Sequence, residues 1–328
     1  MNVAIYSTHK FEKEYLEKAN NGQYNFKYIT IALSSETVHL AEGCEAVSIF
    51  VSDVASAPVL QLFNKMGVKF LALRSAGYNN VDIAEAKKFN IKVARVAEYS
   101  PNAVAEHSVA LMLALNRKLI RAHNRVMEQN FSLDGLVGFD MNGKTVGIIG
   151  TGKIGSVAAK ILHGFGCNIL SHDQIENEEL KQKYNVTYTD SESLFKQSDI
   201  ITLHVPLTDK TKYIINKSCI DMMKAEVMLI NTSRGKLVNT KDVIDALKSG
   251  HIGSFGMDVY EEEEGLFFED HSEDILQDDT IARLMSFRNV LITSHQAFLT
   301  DTALKNIAEA TVKNLECFEK NFQNKNAI

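Results

Sequence analysis

Proline is scarce in this chain. Pro58, Pro101 and Pro206 are the only three in 328 residues, so each one marks a place where the backbone is fixed. Cysteine is sparse too. Cys44, Cys167, Cys219 and Cys317 lie far apart and form no C-x-x-C pair, a pattern that fits reduced, mostly buried thiols in a cytoplasmic protein rather than a disulfide framework. No apolar run reaches the roughly 18 residues that a membrane-spanning helix needs. The chain opens on a strand-like V-A-I-Y with no basic segment and apolar stretch before it, so no signal peptide is expected. Neither sign of charge dominates: the net charge is −6 and the pI about 6.0. No nucleic-acid partner and no membrane partner is therefore expected. There is no internal repeat, no low-complexity segment and no expected metal site.

What is present is ordinary for a soluble globular protein, with 45% hydrophobic and 23% charged residues. The length suggests about two domains. One stretch organises the rest, residues 144–173. Its first part, 145–149, is a short β-branched apolar run and reads as a buried strand. Gly150, Gly152 and Gly155 follow as G-x-G-x-x-G, and 156–165 reads as a helix. A second apolar run ends at Asp173, eighteen residues beyond Gly155. A glycine triplet alone is weak; with a strand before, a helix after and an acid about 20 residues on, it is a dinucleotide fingerprint. Gly150 allows the tight turn, Gly152 lets a pyrophosphate approach the backbone, and Gly155 lets the helix pack on the strand. The helix N-terminus then holds phosphate charge. Asp173 can accept from a ribose 2′-hydroxyl and repels a 2′-phosphate. No Arg follows it, which favours NAD over NADP.

Strands alternate with helices along the whole chain, the pattern of parallel α/β sheets. Before residue 100 the expected strands are 3–6, 46–51, 70–73 and 93–96, with helices at 11–18, 58–65 and 82–89, making one small doubly wound unit. Ser100 and Pro101 are a helix start. The expected helix runs unbroken over 102–126 and is apolar almost all round in its first half. From 145 onward the expected strands are 145–149, 168–171, 186–188, 200–204, 227–231, 252–259 and 290–293. The last helix, 301–320, carries apolar residues at helical spacing, but periodicity does not say which sheet it covers.

Ligands of an open parallel sheet bind at the carboxyl ends of its strands. Those ends carry 150–155, Asp173, Val205, Pro206, Thr232, Ser233, Arg234, the acids of 258–264 and His295. The first hundred residues add 74–77 and Tyr99. One Arg, one His and a group of acids converge on a dinucleotide, the parts needed to grip a carboxylate, move a proton and tune its carrier. His295 is the candidate acid/base, because an imidazole with an ordinary pKa near 6.5 suits that task. His204 also ends a strand, yet it precedes a Val-Pro turn and reads as structural or cofactor-facing. His107 reads as a core or interface group, His172 as a neighbour of the adenosine pocket, and the remaining histidines as surface. One acid of 261–264 should pair with His295 and favour its charged form. Spacing does not choose among the four.

The motifs R-S-A-G-Y-N-N-V-D (74–82), Y-S-P-N-A-V-A-E-H (99–107), G-K-T-V-G-I-I-G-T-G-K-I-G (143–155), L-H-V-P-L-T (203–208) and I-N-T-S-R-G (230–235) make the chain resemble the D-2-hydroxyacid dehydrogenase family over almost its whole length. N-F-S-L-D-G-L (130–136), G-M-D-V-Y-E-E-E (256–263), L-F-F-E-D (266–270) and S-H-Q-A-F-L-T (294–300) resemble its fermentative D-lactate branch in particular. The resemblance implies two doubly wound parallel-sheet α/β domains, Rossmann- or flavodoxin-like, with an active-site cleft between them. A substrate domain of 1–100 plus 299–328 and an NAD-binding domain of 101–298 are implied. So is NAD-dependent reduction of pyruvate to D-lactate, or of a larger 2-keto acid such as 2-ketoisocaproate or phenylpyruvate. The family's catalytic residues match Arg234, His295 and, five residues after the Asp of D-V-Y, Glu263. Ala76 and Gly77 would bind the substrate carboxylate through backbone N–H groups, with Tyr99 and Phe298 around the substrate side chain. Lys153, Ile154, Asp173, Val205, Pro206, Thr211, Thr232, Ser233, Arg234 and Asp258 would face the cofactor. A homodimer or homotetramer is implied, with the buried helix after Ser100 as a candidate interface.

Overall fold

The computed structural model describes all residues, 1–328. It divides into two compact units, Met1–Ser100 with Phe298–Ile328, and Pro101–Ala297. No helix is long and apolar enough to cross a membrane.

In the first unit the chain runs β1 (Asn2–Ile5), α1 (Lys10–Asn20), β2 (Asn25–Tyr28), β3 (Ala46–Ile49), α2 (Ala57–Met66), β4 (Phe70–Leu73), α3 (Ile83–Lys88) and β5 (Lys92–Ala94). The five strands form one parallel sheet in the order β2-β1-β3-β4-β5. β3 and β4 are buried at every position, which is why they read as apolar runs in the sequence, interrupted only by Ser48. β2 was not expected. Its N-F-K-Y alternates exposed and half-buried positions at the sheet edge, and so carries no such run. Pro58 sits in the first turn of α2, and Gly67 closes that helix in the left-handed conformation at φ +84°.

The second unit begins with α4 (Pro101–Asn116) and α5 (Leu119–Met127). These replace the single expected helix. Lys118 adopts φ +51°, and the side chain of Asn116 exchanges two 2.8 Å hydrogen bonds with the backbone of Phe139. Both divert the chain where apolar periodicity continued. Then follow β6 (Thr145–Ile149), α6 (Lys153–Gly164), β7 (Asn168–His172), α7 (Glu178–Tyr184), β8 (Thr187–Tyr188), α8 (Ser191–Gln197), β9 (Ile200–Leu203), α9 (Lys217–Ile220) and β10 (Val227–Asn231). The unit closes with α10 (Thr240–Ser249), β11 (Ile252–Met257), α11 (Asp279–Met285) and β12 (Val290–Ile292). Seven parallel strands lie in the order β12-β11-β10-β9-β6-β7-β8. β6 and β9 are neighbours although two strands separate them in sequence, so the connections reverse there. That reversal creates the crevice where such sheets take a dinucleotide.

The last helix, α12 (Asp301–Glu319), belongs to the first unit. Ala308, Val312 and Leu315 pack with Val3, Ile5, Phe70 and Ala72 in one core cluster, and Phe318 stacks on Phe70 at 4.7 Å. Each such valine, isoleucine, leucine or phenylalanine contributes about 1.5–3 kcal/mol when fully buried. α12 therefore covers one face of the first sheet, and α2 and α3 cover the other through Val59, Leu60, Phe63 and Ala86.

Candidate active site

The glycine-rich turn comes first. Gly150 has φ +95°, and a Cβ there would lie 2.5 Å from the His204 carbonyl oxygen. A Cβ on Gly155 would lie 1.9 Å from the carbonyl oxygen of Gly150, whereas one on Gly152 would meet nothing within 4 Å. The turn is thus tight at its ends and open in its middle. Gly152 is the N-cap of α6 and offers no capping side chain, so the helix N-terminus there is open to an incoming anion. At the end of β7, Asp173 accepts hydrogen bonds from the Thr151 amide at 2.5 Å and its hydroxyl at 3.1 Å. Burial pushes the Asp173 carboxyl up, but these bonds and those from Ile175 and Gln174 outweigh it, and the group stays below its ordinary value. An ionised acid is thereby held beside the glycine turn. The Thr232 hydroxyl, at the end of β10, is buried with no hydrogen-bond partner. An open phosphate cradle, a fixed carboxylate and an orphaned hydroxyl all fit a bound dinucleotide.

Thr211 closes the loop after β9 by donating to the Pro206 carbonyl at 2.6 Å, and the Ser233 hydroxyl donates to the Leu203 carbonyl at 2.7 Å. Val205 is half-buried and Pro206 exposed on that loop. His204 has Nε2 at 3.0 Å from the Thr202 hydroxyl. Its ring lies deep although part of the residue stays open to solvent, and burial pulls its pKa down to about 4. It is neutral near pH 7 and cannot be the proton donor there.

Arg234, Glu263 and His295 follow β10, β11 and β12, three adjacent strands of the sheet. Arg234 is half-buried and pairs with no carboxylate; its guanidinium donates to the Ser233 carbonyl at 2.6 Å. Gly235 is required next to it, since a Cβ there would lie 2.0 Å from the Tyr260 carbonyl carbon. His295 Nδ1 is 3.0 Å from Glu263 Oε1, and Glu263 Oε2 accepts from the Tyr260 amide at 3.1 Å. Of the other acids in the run, Glu261 pairs with the Tyr213 hydroxyl and with the Thr240 amide, and Glu264 is exposed. His295 itself is left-handed at φ +53°, which costs a non-glycine residue about 1–2 kcal/mol.

Asp258, expected to face the cofactor, has a different setting. It is fully buried. Its Oδ1 accepts from the Thr293 hydroxyl at 2.6 Å and the Gln296 amide at 2.8 Å, and its Oδ2 from the Ala297 amide at 2.8 Å. The carboxylate fastens the loop that carries His295 and presents no surface to a nucleotide. D-V-Y in sequence reads only as a strand end, and nothing in it announces this clasp.

In the first unit, Arg74 is buried at the end of β4 and paired with Glu12 at 2.9 Å. Immediately after it, the Ala76 carbonyl accepts from Arg95 at 2.8 Å and the Gly77 carbonyl from the Ser75 hydroxyl at 2.7 Å. The N–H groups of Ala76 and Gly77 donate to no acceptor in the chain. Phe298 meets the rings of Phe11, Phe50 and Tyr99 at 6.2–6.4 Å. Phe11 and Phe50 are members of this apolar group that the sequence did not single out, since they lie 39 positions apart.

A parallel sheet with a dinucleotide cradle, and a carboxylate-backed histidine beside an unpaired arginine on neighbouring strand ends, define a nicotinamide-dependent dehydrogenase. Residues 109–297 match the model of the D-isomer specific 2-hydroxyacid dehydrogenase NAD binding domain. The chain is 48% identical to D-lactate dehydrogenase of Escherichia coli (strain K12), over 98% of this chain and 97% of that protein. The solved pyruvate reductase of Chlamydomonas reinhardtii superposes with a TM-score of 0.94 at 41% identity, covering 99% of this chain and 98% of that one. The D-lactate dehydrogenase of Lactobacillus jensenii, solved with NAD+, superposes with a TM-score of 0.82 at 30% identity, covering 100% of this chain and 99% of that one. The chain belongs to the D-isomer-specific 2-hydroxyacid dehydrogenase family. It is an NAD-dependent oxidoreductase.

Proposed function

We propose that this enzyme reduces pyruvate to D-lactate with NADH, regenerating NAD+ in a fermenting cytoplasm. The observation that carries the reading is the His295–Glu263 pair beside an Arg234 that has no anion partner. When bound, NADH supplies hydride to the keto carbon. Protonated His295 gives a proton to the forming alkoxide from Nε2, because Nδ1 is committed to Glu263. Glu263 accepts from Nδ1 and orients the ring; the Tyr260 amide in turn holds Glu263. Arg234 grips the substrate carboxylate with its planar fork and polarises the carbonyl. In the first unit, Ala76 and Gly77 carry N–H groups suited to a carboxylate, and Tyr99 and Phe298 form an apolar surface suited to a substrate side chain. Gly150, Gly152, Lys153, Ile154 and Gly155 would hold the pyrophosphate and Asp173 the ribose. Val205, Pro206, Thr211, Thr232 and Ser233 would line the nicotinamide side. The four cysteines are free and buried, as expected in a reducing compartment.

Steady-state rates for pyruvate, 2-ketoisocaproate and phenylpyruvate with NADH test the substrate. The highest kcat/KM is expected for pyruvate; a clear preference for either larger acid overturns that choice. The cofactor preference has its own variant. Asp173→Ala should lower the NADH-over-NADPH ratio of kcat/KM by about 10- to 100-fold, the worth of one hydrogen bond to a charged group. A ratio that does not move removes Asp173 from ribose recognition.

We also propose that the enzyme is a homo-oligomer. The expected interface needs revision, because the buried face of α4 packs inside its own unit: Leu111 and Met112 join Val146, Ile148 and Ile230 in one core. α5, by contrast, buries no residue. Ile120 and Met127 on it, and Phe131, Leu133 and Val137 in the loop that follows, are 56–83% exposed, apolar side chains of the kind a partner covers. Sedimentation should find a dimer or larger assembly in the wild type, and Met127→Glu with Phe131→Glu should shift it to monomer. An assembly state unaffected by both changes excludes this surface.

A further inference from the structure

His107 lies on α4, far in sequence from the catalytic loop, and no step above uses it. Its side chain is 19% exposed, and its Nε2 is 3.0 Å from the Thr293 hydroxyl and 3.4 Å from Asp258 Oδ1. Proton accounting gives the chain of donors a direction. Asp258 is an acceptor with four short contacts to the loop: the Thr293 hydroxyl, the Gln296 and Ala297 amides, and the His295 amide on its own carbonyl at 2.6 Å. A threonine hydroxyl has one proton. At 2.6 Å that proton goes to Asp258, so Thr293 Oγ1 must accept from His107, and His107 Nε2 must carry hydrogen. The order is His107 Nε2–H to Thr293 Oγ1–H to Asp258 carboxylate.

That chain ends on the residue that holds His295 in its left-handed backbone. A left-handed histidine persists only where its surroundings over-determine it. The Asp258 side chain grips the loop on both flanks of His295, at Thr293 before it and at Gln296 and Ala297 after it. Besides its own amide bond to the Met257 carbonyl at 2.9 Å, the Thr293 flank is supported by His107, the one group that donates to its hydroxyl. Without that donor the Thr293 hydroxyl can turn from Asp258, and the flank loosens.

We propose that His107 is a positioning residue for His295, acting through Thr293 and Asp258. This rests on the assignment of His295 as the proton donor. His107 delivers no proton to substrate; it fixes the direction of the Thr293 hydroxyl and so the place of the catalytic imidazole.

The test compares His107→Leu, which removes the donor, with His107→Gln, whose amide N–H can replace it, and Thr293→Val with Thr293→Ser. His107→Leu and Thr293→Val should each lower kcat by about 10- to 100-fold, the usual effect of misplacing a reacting group by an ångström. NADH affinity should hold, and pyruvate KM should move far less than kcat. His107→Gln and Thr293→Ser should recover most of the loss. The double variant His107→Leu, Thr293→Val should be no slower than the worse single one, because both break the same chain. An unchanged kcat in His107→Leu, no rescue by Gln, or losses that multiply in the double variant would each overturn the proposal. If His107→Leu does not fold, the Thr293 pair alone decides: equal rates for Val and Ser overturn it. An active His295→Gln would instead remove the underlying assignment, so the two failures are distinguishable.

Discussion

Replacing His295 with Gln should lower kcat for pyruvate reduction by about 10²–10⁴-fold, the range that general acid catalysis contributes. Gln keeps a polar side chain of similar reach but cannot ionise. The loop should survive, because its clasp runs through backbone amides and Thr293 to Asp258, none of which involves the imidazole. NADH binding should therefore persist, since every residue proposed to hold the cofactor precedes His295 on other strand ends. Stopped-flow fluorescence for NADH and steady-state turnover separate the two. His204 cannot take over, because burial keeps it neutral at neutral pH. Turnover near the wild-type rate in His295→Gln would send the acid assignment elsewhere.

The second large effect is expected at Arg234→Lys. Charge is conserved and geometry is not: a planar fork that can hold two oxygens becomes a point charge. One charge-assisted hydrogen bond is worth about 1.5–3 kcal/mol, so kcat/KM should fall by roughly 10- to 100-fold, mostly through pyruvate KM. Arg234 has no internal carboxylate to release, so the variant should keep its folding stability. A stability loss with an unchanged KM would mean that Arg234 is structural. The neighbouring Gly235, wedged against the Tyr260 backbone, explains why the arginine cannot simply move to compensate.

Much of this was legible in the sequence because burial writes itself into composition. The strands at β3, β4, β6, β9 and β10 are buried almost throughout and appear as mainly apolar runs. The dinucleotide turn was legible because three glycines meet three different steric demands at fixed spacing. β2 was not, since an edge strand with one solvated face offers only Phe26 and Tyr28 in alternation and no apolar run. Nor was the break at Lys118, which depends on Asn116 reaching Phe139 through tertiary contacts. At the site, residue types and strand ends brought Arg234 and His295 forward, while spacing left four acids open; resemblance pointed to Glu263, and geometry puts its Oε1 3.0 Å from His295. Asp258 and His107 were illegible for one reason. Their roles depend on partners across the fold, His107 and Thr293 being 186 residues apart, and local sequence carries no trace of such a pairing.

The most direct measurement is the product itself. Wild-type enzyme is incubated with pyruvate and NADH, and the lactate formed is resolved by chiral chromatography as NADH absorbance falls. D-lactate is expected as the sole product, one equivalent per NADH consumed, with formation lost in His295→Gln. L-lactate, or no lactate while a larger 2-keto acid is readily reduced, would overturn the assignment.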